Sequence, residues 1–373
     1  MNDINKDVFR KLQEHLDSLP VGFPATQTGV EIRILKHLFT PEDAEVALHL
    51  KFLPEPLKKV YRRFKKSGII LEELEQKLDD MYFRGLINRG INTAGDPEEK
   101  YYAIAPWAIG IYEFQLGRLT KEFFNDHEQF LDEAFIDEYN YTGIPQLRVI
   151  PIEKTIDYEQ KIASYDDMRN LIENIGEPLA VAECICRQAK KLIGEPCSKT
   201  ELVESCFVFR NGAKSYLEKG LARQITKEEA LELLRKAEED GLVLQPGNSL
   251  RPMNICTCCG CCCGILTHQK KIPEPAQFFA SNYYAKVDED SCTGCGTCEE
   301  RCNMDAIHVE DAISHVDLTR CIGCGVCVPT CTSDAMKLCK KEKETFPPKN
   351  TIGTYMAIMD KKAELARADK SKS

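Results

Sequence analysis

Apolar residues recur at helical spacing through the first 145 residues, interrupted by one hairpin-like stretch. Thr40-Pro41-Glu42-Asp43 sets a capping hydroxyl before a proline and two acids, the order that starts a helix, and leads into AEVALHLKFL. A second helix, LKKVYRRFKKSG, stops at Gly68. The third, LEELEQKLDDMYFRGLI, repeats apolar side chains at Leu71, Leu74, Leu78, Met81 and Tyr82, close to the i, i+3, i+4, i+7 template. A polar turn, NRGINTAGDPEEK, and an apolar strand, YYAIAPW, follow. Pro145 and Pro151 then bracket a strand-like QLRVIPI, and YDDMRNLIENI reads as a helix stopped by Gly176 and Pro178. Residues 226–241 form an amphipathic helix, with Thr226 and Glu229 as a capping box and Gly241 just past its end. The tail, TFPPKNTIGTYMAIMDKKAELARADKSKS, is a proline-broken linker, a further amphipathic helix and a charged end. Its pattern fits packing on the core or on a partner equally. No run of 18 apolar residues occurs, so no membrane-spanning helix is expected.

Three helices followed by a two-stranded wing resemble the winged-helix superfamily, which implies DNA binding or partner docking. Charge favours docking. The third helix carries Glu72, Glu73, Glu75, Asp79 and Asp80 against Lys77 and Arg84, a net of −3 that would repel phosphates. The preceding helix is the counterweight, with Lys58, Lys59, Arg62, Arg63, Lys65 and Lys66. A solvated charged face accounts for that run, and nucleic acid is not the expected partner. The whole chain, 373 residues with a formal charge of −10, points the same way.

Cysteine changes the picture. Of the 19 in the chain, eight fall into two copies of C-x-x-C-x-x-C-x-x-x-C: Cys292, Cys295, Cys298 and Cys302, then Cys321, Cys324, Cys327 and Cys331. The copies are 29 residues apart and also pair Gly294 with Gly323, Gly296 with Gly325, Asp305 with Asp334 and Ala306 with Ala335, an internal duplication. This spacing lets a short loop and the start of a helix place thiolates around a cubane iron–sulfur cluster. Disulfides would suit a secreted chain, but MNDINKDVFRKLQEHL has no apolar signal core and the cysteine number is odd, so a reducing cytoplasm is expected. Zinc sites pair two C-x-x-C knuckles across a longer gap.

The duplicated segment resembles the dicluster bacterial-type ferredoxins. The resemblance implies two 4Fe-4S clusters, the fourth cysteine of each run ligating the other cluster: Cys292, Cys295, Cys298 and Cys331 hold one, and Cys321, Cys324, Cys327 and Cys302 the second. The family's proline after the fourth cysteine is replaced by Asn303 and Thr332, which implies altered amide donors near the sulfurs. Residues 280–339 carry ten acids against four bases, a rim suited either to docking on a basic redox partner or to solubility.

Ten more cysteines lie upstream. Cys184 and Cys186 sit at the end of a buried strand in AVAECICRQ, Cys197 and Cys206 follow, and Cys256, Cys258, Cys259, Cys261, Cys262 and Cys263 crowd into NICTCCGCCCG. Neighbours in so short a loop cannot all be buried or all point one way. Four soft thiolates complete one site, so the ten suffice for one or two further centres. The simplest arrangement sets Cys184, Cys186, Cys197 and Cys206 against a subset of residues 256–263 around one additional 4Fe-4S cluster, with a second cluster or zinc as alternatives. Arg187, beside Cys186, is placed either to donate to a sulfide and raise a potential or to pair with a surface carboxylate, the second being the expectation, and Cys339 is expected to be a half-buried thiol.

Together C-x-C-R, N-I-C-x-C-C-G-x-C-C, SNYYAKVD and CTGCG-x-C-EERC-x-MDAI resemble a family of cytoplasmic ferredoxin-domain iron–sulfur proteins of anaerobic bacteria and archaea. The expected architecture is α+β and multidomain: a winged-helix-like domain at 1–145, a central α+β cysteine-rich domain at 146–275, a ferredoxin-like dicluster domain at 280–340, and a linker and helix at 341–373. No nucleotide fingerprint occurs; Gly212-Ala213-Lys214-Ser215 lacks the upstream glycine. The seven histidines form no triad. The reading is an electron-transfer protein or subunit that serves a partner oxidoreductase, either as part of a complex or as a homo-oligomer. A redox-responsive DNA-binding regulator and a reductase working at the central cluster are the alternatives.

Overall fold

The computed structural model describes residues 2–91, 99–155 and 166–370. The chain divides into two compact units, Met1–Tyr141 and Thr142–Ser373. Most of the NRGINTAGDPEEK turn and the first residue of YDDMRNLIENI lie outside the described residues.

The first unit is helical around one small sheet. Helices α1 (Asn2–Asp17), α2 (Val30–Leu38) and α3 (Pro41–Ala47) precede strand β1 (Glu55–Pro56) and helix α4 (Leu57–Tyr61). Helix α5 (Leu71–Phe83) leads into the hairpin β2 (Ile87–Ile91) and β3 (Lys100–Ile104), and the sheet order is β1-β3-β2. Helix α3 begins as its sequence dictates: the Thr40 side chain accepts from the Asp43 N–H, Asp43 returns the bond to the Thr40 N–H, and Pro41 fills the first turn. It stops at Ala47, well short of the end of AEVALHLKFL. Helix α5 buries Leu74, Leu78, Met81 and Tyr82 on the expected face. Helices α6 (Lys121–Phe130) and α7 (Ile136–Asn140) close the unit over an aromatic core in which Trp107 meets Phe23, Phe130 and His127.

The second unit is built on a five-stranded antiparallel sheet of order β6-β4-β5-β8-β7. Its strands are β4 (Leu179–Glu183), β5 (Glu204–Phe209), β6 (Ala222–Ile225), β7 (Val243–Pro246) and β8 (Asn254–Cys258). Its helices run α8 (Met168–Asn174), α9 (Ile185–Leu192), α10 (Asn211–Glu218), α11 (Lys227–Glu239) and α12 (Gly264–Gln269); α8 and α11 cover one face, where Val181, Phe207, Phe209, Leu234, Leu244 and Ile255 form a core. The other core collects Val243, Cys258, Leu266, Ala285, Ile307 and Met336. Successive strand residues point to opposite faces, so Val243 and Leu244 enter different cores, as do Val149 and Ile150.

The expected strand at QLRVIPI is a strap instead. Ile150 donates to the Leu244 carbonyl at 3.1 Å while Val149 donates to the Ala280 carbonyl at 2.9 Å, tying the sheet edge to the duplicated segment. That segment closes on itself where β9 (Tyr283–Val287) pairs with β12 (Met336–Lys340) in the register Ala285↔Leu338. Between them lie helix α13 (Thr297–Arg301) and the hairpin β10 (Ile307–Glu310) and β11 (Ile313–Val316), whose turn residues Asp311 and Ala312 both have positive φ. The tail helix α14 (Thr351–Lys370) packs on its own unit: Thr354 donates to the Asn248 carbonyl at 2.5 Å, Gln146 donates to the Tyr355 hydroxyl at 3.1 Å, and Ile358 is buried.

Candidate metal centres

The eight duplicated cysteines gather in two pockets, each taking its fourth member from the other copy. Cys292, Cys295 and Cys298 line the first pocket with Cys331. Cys321, Cys324 and Cys327 line the second with Cys302. The exchange follows from chain path, because α13 carries Cys298 in its first turn and points Cys302, at its far end, toward the other copy. The duplication extends to the backbone, with Gly294 and Gly323 at φ 63° and 68° and Asp305 and Asp334 at 51° and 53°. At Gly294 a Cβ would strike the Ala312 carbonyl, and at Gly323 that of Tyr283, so both closest approaches require glycine.

The pockets differ electrostatically. In the first, Cys292 accepts from the N–H groups of Gly294 and Ser314, each at 3.4 Å, and these bonds hold its thiol below the ordinary cysteine value. Cys295 is exposed and is lowered by the Thr297 N–H. In the second, burial pushes Cys302 up, Cys324 to about 12, and Cys327 well up. Amides still reach two of its sulfurs: Ala306 donates to Cys302 at 3.2 Å and Ala285 to Cys321 at 3.4 Å. Four soft sulfur donors, amide N–H groups aimed at them and apolar walls fit a cubane in each pocket.

The ten central cysteines separate into a four and a six. Cys197, from the loop between α9 (Ile185–Leu192) and β5, meets Cys259, Cys261 and Cys262 of the loop after β8. Their sulfurs all lie within 4.8 Å of one another, with 3.6 Å from Cys197 to Cys259, from Cys197 to Cys261 and from Cys261 to Cys262. The other six form a second group of electrostatically interacting thiols, running from Cys184 through Cys186, Cys263, Cys258 and Cys256 to Cys206. Strand alternation makes the division. Cys256 and Cys258 share the sheet face toward the ferredoxin segment, and Cys206 stands opposite Cys256 in register. Cys259 turns into the core on the other face. Cys197 is therefore not grouped with Cys184, Cys186 and Cys206, as the simplest sequence arrangement had it.

Two polar residues connect these groups. Among the described residues Arg187 pairs with no carboxylate, contrary to expectation. It is buried, donates to the carbonyls of Leu202 and Thr257 at 3.1 and 2.6 Å and to the Ser205 hydroxyl, and its charge faces Cys184 of the six and Cys259 of the four. Asn303, in place of the ferredoxin proline, does more than alter a donor. Its Oδ1 accepts from the Gly260 N–H at 2.8 Å and its Nδ2 donates to the Gly241 carbonyl at 2.7 Å. Gly260 lies between Cys259 and Cys261, so the residue after Cys302 is fastened to the four-cysteine loop. The only sequence signal for this was the missing proline. Cys339 is half-buried on β12 opposite Tyr284 and lines neither ferredoxin pocket.

A duplicated segment that folds into two four-cysteine pockets defines an iron–sulfur, metal-binding protein. Residues 284–332 match the family model of the 4Fe-4S dicluster domain, a span that holds all eight cysteines of the two pockets. Neither curated proteins nor solved structures give a match to the chain. Among the described residues no helix is long and apolar enough to cross a membrane.

Proposed function

We propose that the chain is an electron-transfer protein or subunit that passes low-potential electrons through two 4Fe-4S clusters to a partner oxidoreductase. Cys292, Cys295, Cys298 and Cys331 hold one cluster, and Cys302, Cys321, Cys324 and Cys327 the other. The observation that carries this reading is the pair of pockets, each completed by a cysteine from the opposite copy. Each cluster, when bound, takes up and releases one electron at a time. The residues set the conditions. Gly294, Ser314, Ala285 and Ala306 aim N–H groups at the sulfurs, and the buried second pocket excludes water. The exposed first pocket, beside the exposed acids Asp288, Glu289, Asp290, Glu299 and Glu300, is the docking side for a basic partner. Asn303 leads from the second pocket to the central cysteines, where the group of six supplies thiolates for a further cluster.

Anaerobically purified full-length protein tests this. At four irons per cubane, about eight irons and eight acid-labile sulfides belong to the ferredoxin pockets and about twelve of each to three clusters. Reduction should produce the interacting paramagnetic signal of two neighbouring clusters. Fewer than about eight irons with matching sulfide, or no reducible signal, rejects the reading.

A second reading, a cluster-responsive regulator, has its own support. In the first unit Lys58, Arg62, Lys65 and Lys66 are exposed beside α5, in the helix-and-hairpin order of a winged helix. A salt-resistant, sequence-specific complex in gel shifts that differs between oxidised and reduced protein would establish it over the carrier.

A further inference from the structure

The four sulfurs of Cys197, Cys259, Cys261 and Cys262 are too close together for a cubane. In a cubane each thiolate binds a different iron, so the width of the cluster separates the sulfurs. A single ion with metal–sulfur bonds of roughly 2.3 Å in tetrahedral geometry sets its ligand sulfurs roughly 3.8 Å apart. Three of the pairs here lie at 3.6 Å, and no pair exceeds 4.8 Å. Four thiolates around a divalent ion leave a surplus of two negative charges, and the buried Arg187 guanidinium, anchored on the Thr257 carbonyl two residues before Cys259, faces Cys259 with a positive charge that offsets part of it. Cys259 and Cys262 belong to the apolar core on that face of the sheet, and Cys197 and Cys261 are half-buried against it.

We propose that Cys197, Cys259, Cys261 and Cys262 form a mononuclear tetrathiolate site for a divalent metal ion, zinc or a single iron, separate from the iron–sulfur clusters. An all-sulfur tetrahedral set selects those ions. The site deepens the further-centre part of the function above but does not rest on the ferredoxin reading, since none of its ligands lines either ferredoxin pocket. Its role is positional. It locks Gly260 between two ligands, and the Gly260 N–H holds Asn303 and with it the corner carrying Cys302.

The test is zinc, iron and acid-labile sulfide per chain in full-length wild type and in the variants Cys261→Ser and Cys197→Ser. The expected result is the loss of one metal ion per chain with labile sulfide unchanged, the element lost telling zinc from iron. Loss of about four irons together with four sulfides, or no loss of metal, overturns the proposal. Should the variants fail to fold, X-ray absorption at the zinc edge of the wild type decides: four sulfur neighbours near roughly 2.3 Å and no metal neighbour support a zinc site. Nitrogen or oxygen neighbours overturn it. If the edge shows no zinc, a high-spin ferric signal of one isolated iron per oxidised chain supports the iron form, and its absence overturns the proposal. A failed ferredoxin reading would look different, with cluster iron and sulfide missing while the single ion remains.

Discussion

Single residues decide how closely the backbone approaches the sulfurs. Gly296 and Gly323 both have positive φ, but a Cβ at Gly296 meets open space whereas one at Gly323 strikes the Tyr283 carbonyl. Gly296→Ala should therefore cost only the left-handed penalty of about 1–2 kcal/mol and keep its iron. Gly323→Ala should cost more and lose about four irons, which chemical denaturation and iron analysis would show. Asn303 makes a comparable case with hydrogen bonds. Asn303→Ala leaves the Gly260 N–H and the Gly241 carbonyl without that partner in a buried place, at roughly 1–3 kcal/mol each. Asn303→Asp keeps the acceptor but sets a carboxylate oxygen against the Gly241 carbonyl in a buried place, so its denaturant midpoint at neutral pH should fall at least as far as that of alanine.

Elements show where a charge count from sequence goes wrong. The acids of α5 that were counted as repelling phosphate are largely engaged within the unit. Asp79 pairs with Arg89 and Lys100 at 2.6 Å each and accepts from Tyr102 at 2.7 Å, Glu75 pairs with Lys100 at 2.7 Å, and Asp80 with Arg84 at 2.9 Å. Burial pushes the Asp79 carboxyl up, but the bonds from Lys100, Tyr102 and Arg89 outweigh it and hold the group below the usual carboxylate range. A carboxylate lowered in the folded state contributes its full stability above its unfolded value, about 4, and loses it as pH falls through the folded value. Asp79→Asn should thus lower the melting temperature of the first unit at pH 7, by a difference that shrinks as the pH is taken below about 4. The chain's one tryptophan, Trp107, lies in that unit, so its fluorescence reports this transition without contribution from the iron–sulfur unit.

At the scale of the whole molecule, the acidic rim is a statement about rate. Asp288, Glu289, Asp290, Glu299 and Glu300 are exposed around the first pocket, and charges of one sign steer an oppositely charged partner at low salt. Replacing Glu299 and Glu300 with lysine should slow electron delivery to a basic acceptor protein several-fold in dilute buffer. The difference should vanish at high ionic strength, where the screening length falls to about 3 Å. Stopped-flow reduction against salt concentration measures this; an unchanged rate at low salt would leave solubility as the rim's role.

The sequence alone determined whatever depends on local spacing: the duplicated cysteine runs with their glycines, the caps at Thr40 and Thr226, and the apolar face of α5. Loop and helix geometry is set by a few consecutive residues, so such features are readable without neighbours. The division of the ten central cysteines was not readable. It depends on which face of β8 each sulfur leaves from and on which of two cores lies there, and so on the pairing of β5 with β8 and the packing of the ferredoxin segment on one face of the sheet. Arg187 and Asn303 were hidden for the same reason, since their partners at Thr257 and Gly260 lie 70 and 43 residues away in the chain. Sequence specified the sulfur chemistry. Which sulfurs stand within 3.6 Å of one another, and so which can share a single ion, was settled by the tertiary packing.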